Sequence, residues 1–490
     1  MNTKIRIDTD RPAVRFDRMI FGQFLEHFHR QVYGGVFEPG SPLSDKMGLR
    51  LDVIEALREL RIPIVRWPGG CFVSAYHWKY GVAPDRTPVF DKAWLVEEPN
   101  TFGTDEFVAW CRAIGAEPYI CTNAGTGSEE EMSDWVEYCN AAVGKFAAQR
   151  RANGHKEPLN VKYWSIGNEN WGGHEIGSKK APQWAALVAE SGKMMKRVDN
   201  SIKLLAAALA EIDWTLPLLR EAGHLLSYIS IHNYWDPLWG ANNPSDYATC
   251  MTRSLGPEEM IRKARSILEV ANLGGKVAIA FDEWNLRGWH HPNLGSAAFG
   301  DVAARDKNDL NATYTMADAV FSACFLNACL RSADTVKMAC MAPVVNARGP
   351  LFVHPKGVVR RTTFHVMKMY SDLLEPNVID CWAGGETFEH AGQSVPAIDA
   401  VATADDAGKK IALVLVNRCP DKTIAADVRI AGKALSGQVD ATVLAGDSPD
   451  AYNDIDAPNR VTPQKTRLVF ENGAANLSPH SVTILSFEHR

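Results

Sequence analysis

This 490-residue chain has no surplus of basic residues: 52 Lys and Arg face 58 Asp and Glu, a formal net charge of −6. With no excess cation to neutralise phosphates, the composition argues against a nucleic-acid binder. No apolar run approaches the ~20 residues that span a bilayer. The opening Met1-Asn2-Thr3-Lys4-Ile5-Arg6-Ile7-Asp8 lacks the apolar core of an export signal. The ten cysteines show no repeated short spacing. They predict reduced thiols in a cytoplasmic protein rather than a disulfide frame. In that compartment Asn311-Ala312-Thr313 and Asn476-Leu477-Ser478 are accidental matches to the glycosylation pattern. There is no Gly-rich dinucleotide loop after the first apolar run, no P-loop and no Lys/Arg cluster for a phosphate. No repeat or low-complexity tract stands out.

What is present is an ordinary globular composition, 46% hydrophobic and 22% charged, in a chain long enough for more than one domain. Eight short apolar runs occur at 20–24, 62–67, 118–122, 161–166, 202–207, 228–231, 277–281 and 335–339. Most are followed by helical spacing. Continuous apolar strands alternating with helices predict parallel βα units buried on both faces. Eight of them in roughly 350 residues predict a closed (β/α)8 barrel, with an open doubly wound sheet as the competing architecture. Helices are expected from Asp52 to Leu60, from Thr104 as N-cap, from Pro257-Glu258-Glu259, and over 311–333, the last well buried. The polar segment 295–311 reads as a long loop near the barrel mouth.

Beyond about residue 375 the pattern changes to short strands divided by Gly, Pro, Asn and Asp, at 410–416, 426–430, 467–470 and 481–487. This predicts an antiparallel, jelly-roll-like β-sandwich, which the alternating Lys4-Ile5-Arg6-Ile7 joins. The expected organisation is 1–15 as a sandwich strand, 16–375 as the barrel and 376–490 as the sandwich.

Two of the eight runs end in acids. Val161 to Ile166 leads into Gly167-Asn168-Glu169, and Val277 to Phe281 leads into Asp282-Glu283-Trp284-Asn285. A barrel presents its chemistry at the C-terminal ends of its strands. Glu169 and Glu283 would therefore face one mouth, together with Glu26, His27, His29, Arg66, Cys71, Asn123, His232 and Tyr234. Carboxylates and amides for hydroxyls, with indoles for apolar ring faces, are what a sugar requires. Glycoside hydrolysis needs one carboxyl to protonate the leaving oxygen and one carboxylate to meet the anomeric carbon. The plainer alternative is that these acids only pair with a base such as Arg66. His27-Phe28-His29 has a metal-site spacing, but the fourth and fifth strands supply no further ligand, so the set is incomplete.

Gly22-Gln23-Phe24-Leu25-Glu26-His27, Arg66-Trp67-Pro68-Gly69-Gly70, Gly103-Thr104-Asp105-Glu106-Phe107, Trp135 to Asn140, Lys162-Tyr163-Trp164, Gly167-Asn168-Glu169 and Phe281 to Asn285 resemble the retaining α-L-arabinofuranosidases of glycoside hydrolase family 51. The resemblance implies a cofactor-free hydrolase that releases terminal α-L-arabinofuranosyl residues by double displacement. Glu169 would be its acid/base and Glu283 its nucleophile. It further implies that Glu26 and Asn168 bind sugar hydroxyls, that Tyr234 holds the nucleophile above Arg66, and that Cys71, His232 and Trp289 line the sugar site. A cytoplasmic homo-oligomer, commonly a hexamer, acting on short oligosaccharides is also implied, with no metal, membrane or nucleic-acid partner. Pro343 stands where similar enzymes carry a Gln. That departure leaves β-D-galactofuranose open as the sugar, and the carboxylate pair alone would also serve a β-xylosidase or an endoglucanase. A sugar-binding barrel without activity is the alternative of another class.

Overall fold

The computed structural model describes residues 3–238, 242–288 and 309–488. All eight apolar runs form one closed parallel barrel: β1 (Gly22–Phe24), β2 (Ile64–Trp67), β3 (Glu117–Thr122), β4 (Tyr163–Ile166), β5 (Lys203–Ala207), β6 (Tyr228–Asp236), β7 (Ala278–Arg287) and β8 (Val336–Met341). The open-sheet alternative is thereby removed. The lumen is packed by Phe24, Ile64, Tyr119, Tyr163, Leu205, Ala280, Met338 and Cys340. It is a filled core rather than a pore, which is why chemistry is confined to the mouth. Gly22 is required by closure: a Cβ there would lie 2.7 Å from both the Ala339 carbonyl on β8 and the Ile64 side chain on β2.

β7 bulges by one residue just after Phe281 relative to both neighbours, an offset that β8 balances with an extra residue between Val336 and Met338. Ser230 pairs with Ala280, but His232 pairs with Glu283. On the other side Phe281 pairs with Ala339 and Trp284 with Met341. Such a bulge interrupts the alternation of faces and re-aims side chains. Here it lets the consecutive Asp282 and Glu283 both reach Arg66 on the inner side, at 3.5 and 2.6 Å.

The helices follow their apolar spacing with small shifts. The first runs Leu51–Leu60. The second spans Thr104–Ile114, but its cap is Gly103 rather than Thr104, with the Glu106 carboxylate accepting the Gly103 N–H at 2.8 Å. The Pro257 helix is Gly256–Val270. The long apolar stretch divides into a 3-10 turn, Asn311–Thr313, and a helix, Met316–Arg331, capped by Thr315. Every residue of that helix except Arg331 is buried, and Phe325 stacks on Trp284 of β7 with ring centroids 3.6 Å apart. Stacked aromatics add ~0.5–1.5 kcal/mol beyond their area burial, so this pair fixes the strand that carries Glu283.

In the C-terminal sheet domain, hydrogen bonding runs through eleven strands, and residues from both ends of the path share one core, Val428 and Ile430 with Val439 and Phe470. The N-terminal strand Thr3–Asp8 does join it. It pairs antiparallel with Asn377–Gly384 and parallel with Ile424–Ile430, so the sheet is not purely antiparallel. Among the described residues no helix is long and apolar enough to cross a membrane, and all ten cysteines are free.

Candidate active site

The site is organised around Arg66 of β2, whose side chain is wholly buried. A buried guanidinium is stable only where carboxylates and acceptors compensate it. Nη1 donates to Glu283 Oε2 at 2.6 Å and Nη2 to Asn168 Oδ1 at 2.7 Å. Asp282 is fixed by Tyr119, whose hydroxyl donates to Oδ2 at 2.6 Å, and by Ser230, whose hydroxyl donates to Oδ1 at 2.7 Å. The other oxygen of Glu283 accepts from the Tyr234 hydroxyl at 2.7 Å. Glu283 does pair with Arg66, as the plainer alternative held, yet it also lines an open cavity of about 730 Å³.

Glu169 sits just past β4 with a left-handed φ of 44°. A non-glycine residue held there is strained, and such strain concentrates at working sites. Its Oε1 is 3.0 Å from His232 Nδ1, and its Oε2 is 3.0 Å from His174 Nε2. Oxygens of Glu169 and Glu283 and a ring nitrogen of His232 all lie within 4.8 Å of one another. Burial raises the Glu169 pKa, but the bonds from the two imidazoles outweigh it and hold the carboxyl down at about 2. Burial pulls His232 down, but the Glu283 charge and the bonds to Asp282 and Glu169 overcome this and push it up to about 9. The proton next to Glu169 is therefore stored on imidazole, one hydrogen bond away.

Glu26 follows β1. Its Oε1 accepts from the N–H of Gly70 at 3.0 Å, the N–H of Phe72 at 3.1 Å and Trp94 Nε1 at 3.2 Å. Burial first, and the Glu283 charge second, push its pKa up to about 8. Below that pH Glu26 is neutral; above it a second negative charge stands beside Glu283. For chemistry run by these carboxylates, kcat/KM is therefore expected to hold steady through neutrality and fall above pH 8, with His232 adding a further loss near 9. Glu26→Gln should erase the lower step. A pH–rate profile with an unchanged first inflection in that variant would refute the assignment.

Of the residues expected at the mouth, Glu26, Cys71, Glu169, His232, Tyr234 and Glu283 line the cavity, and Arg66 and Asn168 lie directly behind it. His27 does not reach the cavity. Its Nδ1 is 2.9 Å from Glu98 Oε2, and its Nε2 accepts from Trp67 Nε1 at 3.1 Å. Asn123 braces its own turn, bonding the Tyr76 carbonyl and the Thr126 N–H. Trp289 and residues 295–308 of the expected mouth loop lie outside the described residues.

Two known domains match about four fifths of the molecule: the α-L-arabinofuranosidase 1 domain over residues 56–253 and the α-L-arabinofuranosidase C-terminal domain over 282–481. Alpha-L-arabinofuranosidase C of Emericella nidulans is 33% identical over 480 residues, covering 92% of this chain and 90% of that protein. The intracellular exo-alpha-(1->5)-L-arabinofuranosidase of Halalkalibacterium halodurans is 33% identical over 419 residues, 82% of each chain. The crystal structure of the GH51 alpha-L-arabinofuranosidase from Thermotoga petrophila superposes with a TM-score of 0.88 at 31% identity, over 99% of this chain and 100% of that one. The chain belongs to glycoside hydrolase family 51. The Thermotoga maritima enzyme, solved as an arabinose complex, matches equally, with a TM-score of 0.88 and 31% identity over 99% of this chain. The protein is thus a glycoside hydrolase of the α-L-arabinofuranosidase family, on a barrel with a β-rich C-terminal domain.

Several cavity residues of this family 51 enzyme escaped the sequence reading. Trp94 comes from a hairpin of two three-residue strands, Val89–Asp91 and Val96–Glu98, too short to register as a pattern. Trp171, His174 and Glu175 lie in the loop after β4, where only proximity to Glu169 in sequence could have drawn notice. Arg348 lies beyond β8. It is buried, its guanidinium sits 4.8 Å from the Tyr234 ring centroid, and its Nη2 is 3.4 Å from the Tyr234 hydroxyl. Arg348 lines the cavity and Pro343 is not among its lining residues.

Proposed function

We propose that this protein is a retaining, exo-acting α-L-arabinofuranosidase. Glu283 attacks the anomeric carbon while Glu169 protonates the departing oxygen; Glu169 then deprotonates the water that releases the sugar. The observation that carries the reading is the approach of the two carboxylates within 4.8 Å in one cavity. Retaining enzymes keep their carboxyls about 5–5.5 Å apart, whereas inverting ones need about 6.5–9.5 Å to admit a water. Arg66 and Tyr234 fit this division of labour, because together their hydrogen bonds hold both Glu283 oxygens in place. The two imidazoles on Glu169 supply the proton that it must donate.

In the same reading Asn168, tied to Arg66, meets the 2-hydroxyl, while Glu26 and Arg348 meet the remaining hydroxyls. A hydrogen bond to a charged donor contributes about 1.5–3 kcal/mol, so Arg348→Met should lower kcat/KM for an arabinofuranoside by about 10- to 150-fold. A change below threefold would remove Arg348 from the binding set. The cavity, about 730 Å³, suits short oligosaccharides. The intracellular name of the Halalkalibacterium halodurans relative and ten free thiols support action inside the cell. We also propose a homo-oligomer, a hexamer by resemblance, which light scattering would test. The decisive experiment is a panel of nitrophenyl furanosides and pyranosides with proton NMR of the first-formed sugar. The α-L-arabinofuranoside should turn over fastest and the first-formed anomer should be retained. Inversion, or preference for a galactofuranoside, a xyloside or a glucan, would overturn the proposal.

A further inference from the structure

We propose that Cys71, His174 and Glu175 form a binding site for a thiophilic divalent cation of the zinc class, and that its occupancy closes the catalytic cavity. Cys71 opens the short 3-10 turn after β2, and His174 and Glu175 lie in the loop after β4. One ligand atom from each lies within 4.8 Å of the other two. A sulfur, an imidazole nitrogen and a carboxylate oxygen are a zinc donor set, and the soft sulfur selects zinc or cadmium over magnesium or calcium.

Glu175 is the second observation that points to a cation. Its side chain is wholly buried, and its nearest ionic neighbour among the described residues is His174 at 4.0 Å. Oε2 accepts only a long bond, 3.4 Å, from Asn168 Nδ2. The Cys71 thiol and Ser74 hydroxyl approach the carboxyl, yet no hydrogen bond of ordinary geometry reaches Oε1. A buried carboxyl oxygen without a donor is costly unless something fills the gap.

Zinc bonds of about 2.0–2.3 Å place tetrahedral ligand atoms roughly 3.3–3.7 Å apart, so the trio must draw in by about 1 Å. His174 can make that move, since its side chain is 54% exposed and sits on a loop. Coordination forms Zn–S, Zn–N and Zn–O bonds and releases the thiol proton to solvent, with the Glu175 proton as well where that carboxyl is protonated. No electron is transferred. The ion would take from Glu169 the His174 Nε2 that now lies 3.0 Å away, and it would stand in the space a sugar occupies. The blocking effect rests on the glycosidase reading of the cavity; the binding does not.

The test uses the full-length protein, freed of metal with a chelator. Equilibrium dialysis against zinc chloride with elemental analysis should give one ion per chain. Cadmium titration should produce a thiolate-to-metal absorption band in the ultraviolet. Cys71→Ser should erase that band, and Glu175→Gln should weaken zinc binding at least tenfold. Cys381→Ser, in the sheet domain, should change neither. The band on the unaltered protein keeps the test valid even if a variant fails to fold. Zinc inhibition of arabinofuranoside hydrolysis should be competitive. No stoichiometric zinc, or zinc bound without a sulfur band, would overturn the site; the latter would place the ion on Glu169, His232 and Glu283 instead. A protein that binds zinc through Cys71 but cleaves no furanoside would refute the proposed activity and leave this site standing.

Discussion

Glu283→Ala should lower kcat on an aryl arabinofuranoside by about 10⁴- to 10⁶-fold, the scale seen when a catalytic nucleophile is removed. The loss should be this large because no neighbouring group can substitute. Asp282 is the adjacent carboxylate, but it is fully buried and held by Tyr119, Ser230 and Arg66. The truncated side chain leaves a void beside the anomeric carbon, so a small anion such as azide should enter from the face Glu283 had occupied. The expected rescue product is the glycosyl azide of inverted configuration. Arg66 would lose one of its two compensating carboxylates, so part of the damage could be to stability. Rescue separates the two, since azide cannot refold a protein. Substantial turnover without azide, or a folded variant that azide leaves inert, would remove Glu283 from the nucleophile role.

Glu169→Ala should show a different signature. General acid catalysis contributes about 10²–10⁴-fold, and its value grows as the leaving group becomes more basic. For an arabino-oligosaccharide, whose departing alkoxide must be protonated, kcat/KM should fall by about 10³-fold or more. For a dinitrophenyl arabinofuranoside, whose phenolate departs unaided, the fall should be below about tenfold. Release of the sugar still needs a base, so this substrate should show a burst of phenol followed by a slow steady state. The burst height counts intermediates trapped on Glu283. Equal losses across leaving groups would contradict the acid role, and the absence of a burst would contradict the covalent intermediate.

The barrel was legible because its strands are buried on both faces and read as unbroken apolar runs. Their C-terminal ends then named Glu169, Glu283, Asn168, His232 and Tyr234 with no knowledge of loops. The N-terminal strand was legible from its alternation, Lys4-Ile5-Arg6-Ile7, which the structure buries on the isoleucine side only. What escaped notice was set by tertiary context. Trp94 reaches Glu26 from a hairpin too small to carry a periodicity. His27 has the composition of a metal ligand, but Glu98, 71 residues away, decides its partner. Glu98 is also the acceptor for the Tyr33 hydroxyl, so its burial serves structure rather than chemistry. The cap of the Thr104–Ile114 helix moved by one residue because the Glu106 side chain, not a Thr hydroxyl, satisfies the first free donor.

The extra residue in β7 has a bearing on how this enzyme tolerates change in length. Removing Phe281, the residue just before the pair, would restore a regular pleat, and neighbouring side chains would again point in opposite directions. One acid of the pair would then be turned toward the surrounding helices, and Arg66 would be left facing a single counter-charge. No substitution elsewhere repairs that parity error. The strand is therefore a poor place for gene-level trimming, however permissive its surroundings, and grafting this active site onto another barrel would require transplanting the irregularity along with the side chains.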